Sequence, residues 1–177
     1  MNEIEVKAKV HDHDNLIKQL ENLGCIFTSP IHQKDTIYIP IGESIPVPSG
    51  VNVLRIREQN NKYILTLKQP LTNQLDNIEK ELEFSNPQSM HEIILLLGFE
   101  VSSTVEKTRR TSKYKDFEIC LDEVTGLGSY IEVEKFGLEA EVIQKELFEF
   151  LETLGIKKED QEFMGYDILL KQKVKVN

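Results

Sequence analysis

Charged and apolar residues alternate at the start of the chain. Glu3, Glu5, Lys7 and Lys9 are interleaved with Ile4, Val6, Ala8 and Val10. A strand sends successive side chains to opposite faces, so this segment reads as a strand with one apolar and one charged face. The same period recurs at Gln33–Ile39, Val51–Glu58, Lys62–Gln69, Ile78–Phe84, Phe99–Thr111, Tyr114–Asp122 and Ser129–Lys135, which makes eight strands with the first. Helical spacing appears elsewhere. Leu16, Ile17, Leu20 and Leu23 share a face after Asp12 or Asp14 and before Gly24. Asn86 and Pro87 form an N-cap and first helical position, for a helix that carries Ile93, Ile94, Leu96 and Leu97 and stops at Gly98. A third helix is expected from about Leu138 to Leu154, ahead of Gly155, and a short fourth from Lys158 to Leu170. Ile39–Gly50, with three prolines and two glycines, reads as a surface loop at a rim or lid. "VTGLG" (Val124–Gly128) reads as a hairpin turn.

An internal repeat runs through these elements. Glu3-Ile-Glu5, Glu81-Leu-Glu83 and Glu132-Val-Glu134 each close a strand that precedes a helix ending in Leu-Gly. Arg55-Ile-Arg57 and Lys107-Thr-Arg109 place two cations on one strand face, once in each half of the chain. The pattern implies two related halves of one sheet, in a single domain over residues 1–177.

Like charges two residues apart on a strand sit about 7 Å apart. Their repulsion is about 0.6 kcal/mol in water and about 2.4 kcal/mol at an effective dielectric of 20. On a solvated sheet face the doublets are harmless. Inside a closed barrel they need counter-ions: divalent cations for the acid pairs and polyphosphate for the base pairs. Eight strands suffice to close such a barrel, with the apolar residues outside under the helices. The alternation fits both arrangements.

Composition narrows the field. The net charge of −9 argues against nucleic acid as partner, although a local cationic cluster can sit within an acidic protein. The longest purely apolar run, Ile93–Leu97, is too short to span a bilayer, and the charged opening has no secretory pattern. No membrane association and a reducing cytoplasmic location are expected, with Cys25 and Cys120 far apart and in no metal-type motif. His11-Asp12-His13 is read as a helix-start cap in preference to a metal pair. His32 and His91 are given no chemistry, and Lys171–Lys175 is read as a solvated tail.

Glu3-x-Glu5-x-Lys7 is similar to the E-x-E-x-K signature of the CYTH superfamily, the triphosphate tunnel metalloenzymes. "HQKDTIY", "LRIRE", "YILTLKQP", "EKELEF", "VEKTRR" and "ICLDEVTGLGSYIEVE" resemble its further strands, in order and across nearly the whole chain. Ile37 departs from the pattern, where an aromatic often precedes Tyr38. The resemblance implies an α+β fold: a closed eight-stranded antiparallel β-barrel with helices outside and a charged tunnel within. It implies that Lys7, Arg55, Arg57, Lys68, Lys107 and Arg109 bind a triphosphate. Glu3, Glu5, Asp122, Glu132 and Glu134 would bind Mg²⁺ or Mn²⁺, hard cations that take oxygen ligands. Glu3, Glu5, Lys7 and Asp122 would stand nearest the chemistry, and Glu81 and Glu83 are weaker candidates.

The hairpin around Asp122–Glu134 resembles class IV adenylyl cyclases, which implies conversion of ATP to cyclic AMP and pyrophosphate. A metal-dependent triphosphatase acting on tripolyphosphate, thiamine triphosphate or a nucleotide is the alternative, and a polyphosphate-binding module without turnover is the third. A homodimer would fit the cyclase resemblance.

Overall fold

The computed structural model describes residues 2–176. Its strands are β1 (Asn2–Lys9), β2 (Ile31–Pro40), β3 (Val53–Gln59), β4 (Lys62–Pro70), β5 (Asp76–Phe84), β6 (Phe99–Tyr114), β7 (Phe117–Val124), β8 (Gly128–Gly137) and the two-residue β9 (Gln161–Glu162). The helices are α1 (His13–Asn22), α2 (Pro87–Leu96), α3 (Ala140–Thr153) and α4 (Tyr166–Val176). The strands form one antiparallel sheet in the order β5-β4-β3-β2-β6-β7-β8-β1-β9. A further pairing of β1 with β5, Glu3 opposite Asn77 and Ile4 opposite Asp76, closes the first eight into a barrel. The expected α+β barrel with external helices is the observed fold.

Closure divides each alternating strand between two environments. Val6, Ala8, Ile119, Leu121, Ile131 and Val133 point outward and pack against Leu16 and Leu20 of α1 and Leu147 and Leu151 of α3. Each such fully buried aliphatic side chain contributes about 1.5–3 kcal/mol. On the opposite side, Tyr38, Leu54 and Ile56 pack against Ile94 of α2. The charged residues of the same strands are thereby sent inward. The three acid-doublet strands each lead into one of these helices, and Gly24, Gly98 and Gly155 follow the helix ends at φ of +90°, +86° and +79°. That left-handed conformation closes a helix without the Cβ penalty of another residue. Asp12 caps α1 by accepting from the Asn15 amide at 3.0 Å, and Asn86 caps α2 by accepting from Ser89 at 3.0 Å.

Three local expectations change. Tyr114 ends β6 in place of opening β7, because the chain turns at Lys115 in the left-handed region (φ +56°). The expected helix over Lys158–Leu170 divides into a 3₁₀ turn (Lys158–Asp160), β9 and the start of α4. β9 is drawn into the barrel by pairing with Lys7 and Ala8, and that backbone pairing outweighs local helical spacing. The segment read as a solvated tail instead belongs to α4. Lys171 Nζ donates to Ser102 Oγ at 3.0 Å and Lys173 Nζ to the Gly126 carbonyl at 2.6 Å. Leu169 and Leu170 then join Ile37, Val105, Val124, Tyr130 and Tyr166 in an apolar cluster at one end of the barrel. No helix of the described residues is long and apolar enough to cross a membrane.

Candidate functional site

The barrel interior holds a cavity of about 310 Å³. All six cations singled out in the sequence line it: Lys7 from β1, Arg55 and Arg57 from β3, Lys68 from β4, and Lys107 and Arg109 from β6. Glu3, Glu5, Glu132 and Glu134 line it as well, with Glu81 at its edge. Cross-strand register brings these residues together, since Glu5 stands opposite Glu134 and Lys7 opposite Glu132. Asp122 stands one layer behind, its side chain fully buried, where it accepts from Lys107 Nζ at 2.9 Å and Arg109 Nε at 2.7 Å. Glu83 is not part of the cavity; it pairs with Lys62 at 2.9 Å in an exposed position.

Each cation rests on carboxylates. Lys7 lies 3.0 Å from Glu132 and 3.7 Å from Glu5. Lys68 lies 3.2 Å from Glu3 and 2.7 Å from Glu79, and Arg55 contacts Glu79 at 3.3 Å and Glu81 at 3.1 Å. Arg109 also bonds Glu132. Arg57 makes a two-pronged pair with Asp35, at 2.7 and 2.8 Å. Such a fork fixes the guanidinium in one plane.

Burial and these partners set the charge states. Burial opposes ionisation of Asp35, but hydrogen bonds from Arg57 and the nearby Arg55 hold its carboxyl down at about 2. Burial is likewise outweighed at Glu79, which Lys68 and Arg55 hold at about 2. Glu132 and Asp122 are also held below the usual carboxylate range, against burial, by Lys7 and Arg109 in the first case and Arg109 and Lys107 in the second. Two carboxyls go the other way. Burial, with Glu79 and Glu5 nearby, pushes Glu3 up to about 7, and burial with Glu5 and Glu3 pushes Glu134 up to about 8. The cavity thus holds an excess of unwelcome negative charge on the β1–β8 side. Oxygens of Glu5, Glu132 and Glu134 lie within 4.8 Å of one another, a hard donor set that fits a divalent cation.

Four participants were not singled out in the sequence. Asp35 and Glu79 are the carboxylates that seat Arg57 and Lys68. Asp35 shares a strand face with Gln33, and Glu79 extends the Glu81–Glu83 series by one step, so period-two spacing carried both signals. Glu118 joins the cavity opposite Glu134, and Tyr166 enters from α4. No local pattern marks Tyr166, because its position depends on where α4 docks. His91, given no chemistry, meets the hydroxyl of Tyr38 at 2.9 Å outside the barrel, a packing role.

The CYTH domain matches residues 1–166. The chain belongs to the CYTH family. A Methanocaldococcus jannaschii protein, provisionally named an adenylate cyclase, is 29% identical over 165 residues, covering 90% of this chain and 93% of its own. A Pyrococcus horikoshii protein of solved structure is 29% identical with a TM-score of 0.80, covering 94% of this chain and 98% of its own. A Hippeastrum protein, provisionally named an adenylyl cyclase and described as having a dominant triphosphatase activity, shares the fold at 18% identity and a TM-score of 0.57, covering 93% of this chain and 91% of its own. CYTH enzymes are metal-dependent cyclases and triphosphatases, and the acidic trio within the barrel is consistent with that chemistry.

Proposed function

We propose that this CYTH protein is a divalent-metal-dependent adenylyl cyclase that converts ATP to cyclic AMP and pyrophosphate. One observation carries the reading. Besides the six cations, Ile37, Ile45, Pro46, Val47, Val53 and Pro70 line the same cavity. Cations alone suffice for an inorganic triphosphate, whereas an apolar lining suits a nucleoside. The loop expected at a rim or lid supplies Ile45–Val47 to this lining. The name of the Methanocaldococcus relative supports the same activity.

In this reading Lys7, Arg55, Arg57, Lys68, Lys107 and Arg109 hold the phosphates, already oriented by Glu132, Asp35, Glu79 and Asp122. They offset charge as pyrophosphate departs. Glu5, Glu132 and Glu134 would hold Mg²⁺ or Mn²⁺, which supplies Lewis acidity toward phosphate oxygens. Glu3 and Asp122, the other expected ligands, lie outside this cluster, Glu3 beside Lys68 and Asp122 beside Lys107 and Arg109. The 3′-hydroxyl of the ribose attacks the α-phosphorus in line, and Glu3, which lines the cavity two residues from Glu5, accepts its proton. Glu3→Gln should therefore lower kcat with little change in KM for ATP; an unaltered kcat excludes this role.

The product test is direct. ATP and, separately, tripolyphosphate are incubated with Mg²⁺ and with Mn²⁺, and the products are separated by chromatography. Cyclic AMP and pyrophosphate from ATP, with tripolyphosphate acting as a competitive inhibitor, is the expected result. Orthophosphate released from tripolyphosphate much faster than cyclic AMP forms would establish the triphosphatase alternative.

A further inference from the structure

Tyr166 is the first residue of α4 and the last residue of the family match. Its ring is explained by packing. It meets Tyr130 edge-on, with centroids 5.2 Å apart, and belongs to the apolar cluster at the end of the barrel. Phenylalanine would satisfy every one of those contacts. The hydroxyl is less well explained: it is buried beside the Asp122 carboxylate, but the alignment between them is too poor for a full hydrogen bond. Buried polar atoms in folded proteins are nearly always paired, so an orphan calls for a reason.

The surroundings supply one. Tyr166 lines the cavity, and the Nζ atoms of Lys7 and Lys107 lie 4.4 and 5.0 Å from its ring centroid. A ring face attracts cations, so one tyrosine helps to seat two ammonium groups that Glu132 and Asp122 hold from the other side. Cations that share a ring in this way mark where an anion enters. A phenol at the same place can donate to that anion at little cost to the ligand-free fold, because all it gives up is a poorly aligned contact with Asp122.

We propose that the Tyr166 hydroxyl is a substrate-binding donor, reserved for a phosphate oxygen taken up between Lys7 and Lys107. The inference rests on the triphosphate reading of the cavity. It also gives α4 a task beyond packing, since this helix delivers a hydrogen-bond donor to the barrel.

The test pairs binding with stability. Inorganic tripolyphosphate, an inhibitor and not a substrate on the cyclase reading, is titrated calorimetrically into the wild type and Tyr166→Phe in the presence of Mg²⁺. Thermal melting of both proteins is recorded without ligand. The expected result is about tenfold weaker binding by Tyr166→Phe, the worth of one hydrogen bond to a charged group, with an unchanged or higher melting temperature. Equal binding by wild type and Tyr166→Phe overturns this proposal and leaves the tunnel reading intact. A lower melting temperature of ligand-free Tyr166→Phe would show a structural partner for the hydroxyl and also overturns it. No tripolyphosphate binding by the wild type would overturn the functional reading, and this proposal with it.

Discussion

Two arcs of the same barrel carry similar acid doublets and treat them differently. On β1, β7 and β8 the outer face is sealed by α1 and α3, with Val6, Ile119, Ile131 and Val133 wholly buried. The inner charges there are equally enclosed: Glu132 is 5% exposed and Lys7 2%. On β4 and β5 the cover is thinner, and Leu82 on the outer face is 52% exposed. Two acids of that arc follow suit, with the side chains of Glu81 and Glu83 46% and 57% exposed, whereas that of Glu79, also on β5, is 11% exposed. Helices packed on the outside thus decide how far charges on the inside are taken from water.

The largest expected effect of breaking the enclosed arc is Glu132→Gln. It keeps the shape of the side chain but takes a charged ligand from the metal trio, and turnover should fall by more than about 100-fold. Glu83→Gln, an equivalent change in the open arc, should leave turnover unaltered. Steady-state rates with circular dichroism check both, and equal effects would abolish the distinction between the arcs.

Arg57→Lys sharpens the comparison from the cation side. The change keeps the charge but loses the two-pronged bond to the buried Asp35 carboxylate. A loss of about 1.5–3 kcal/mol of stability is expected in denaturant unfolding, with a raised KM for the triphosphate. Unchanged stability and kinetics would place Arg57 outside the tunnel chemistry.

A smaller effect follows from pH. Glu3 and Glu134 are raised to about 7 and about 8. Folding thus favours their protonated forms. Their contribution to stability is complete below about pH 4.5 and is lost as pH rises through 7 and 8. The melting temperature of the metal-free protein should therefore decline over that window. Excess Mg²⁺ should restore more of it at pH 8 than at pH 6, because binding no longer has to displace protons. A Mg²⁺ effect independent of pH would contradict the assignment. The smallest effect belongs to the open arc: breaking the Lys62–Glu83 pair should not measurably shift the melting temperature.

These arcs also show how much the sequence could disclose. Alternation in Glu3–Val10, and again in Ile131–Glu134, was enough to define strands with one apolar and one charged face, and the family resemblance supplied the tunnel and its cations. Alternation could not separate Glu132 from Glu83, since each has an acid two residues away and apolar neighbours on both sides. Their difference arises from which helix covers the strand. The same reason hides Tyr166, whose place depends on β9 pairing with Lys7 and on α4 docking against β6 and the β7–β8 turn. Asp35 lay within a strand recognised from its pattern, but nothing local announces a partner 22 residues away in Arg57.

The central claim is that the enclosed arc is where metal and substrate meet. Anomalous diffraction from crystals soaked in Mn²⁺ tests it most directly. A manganese peak is expected among the carboxylates of Glu5, Glu132 and Glu134. A peak confined to Glu81 and Glu83, or none in the barrel at millimolar Mn²⁺, would contradict it.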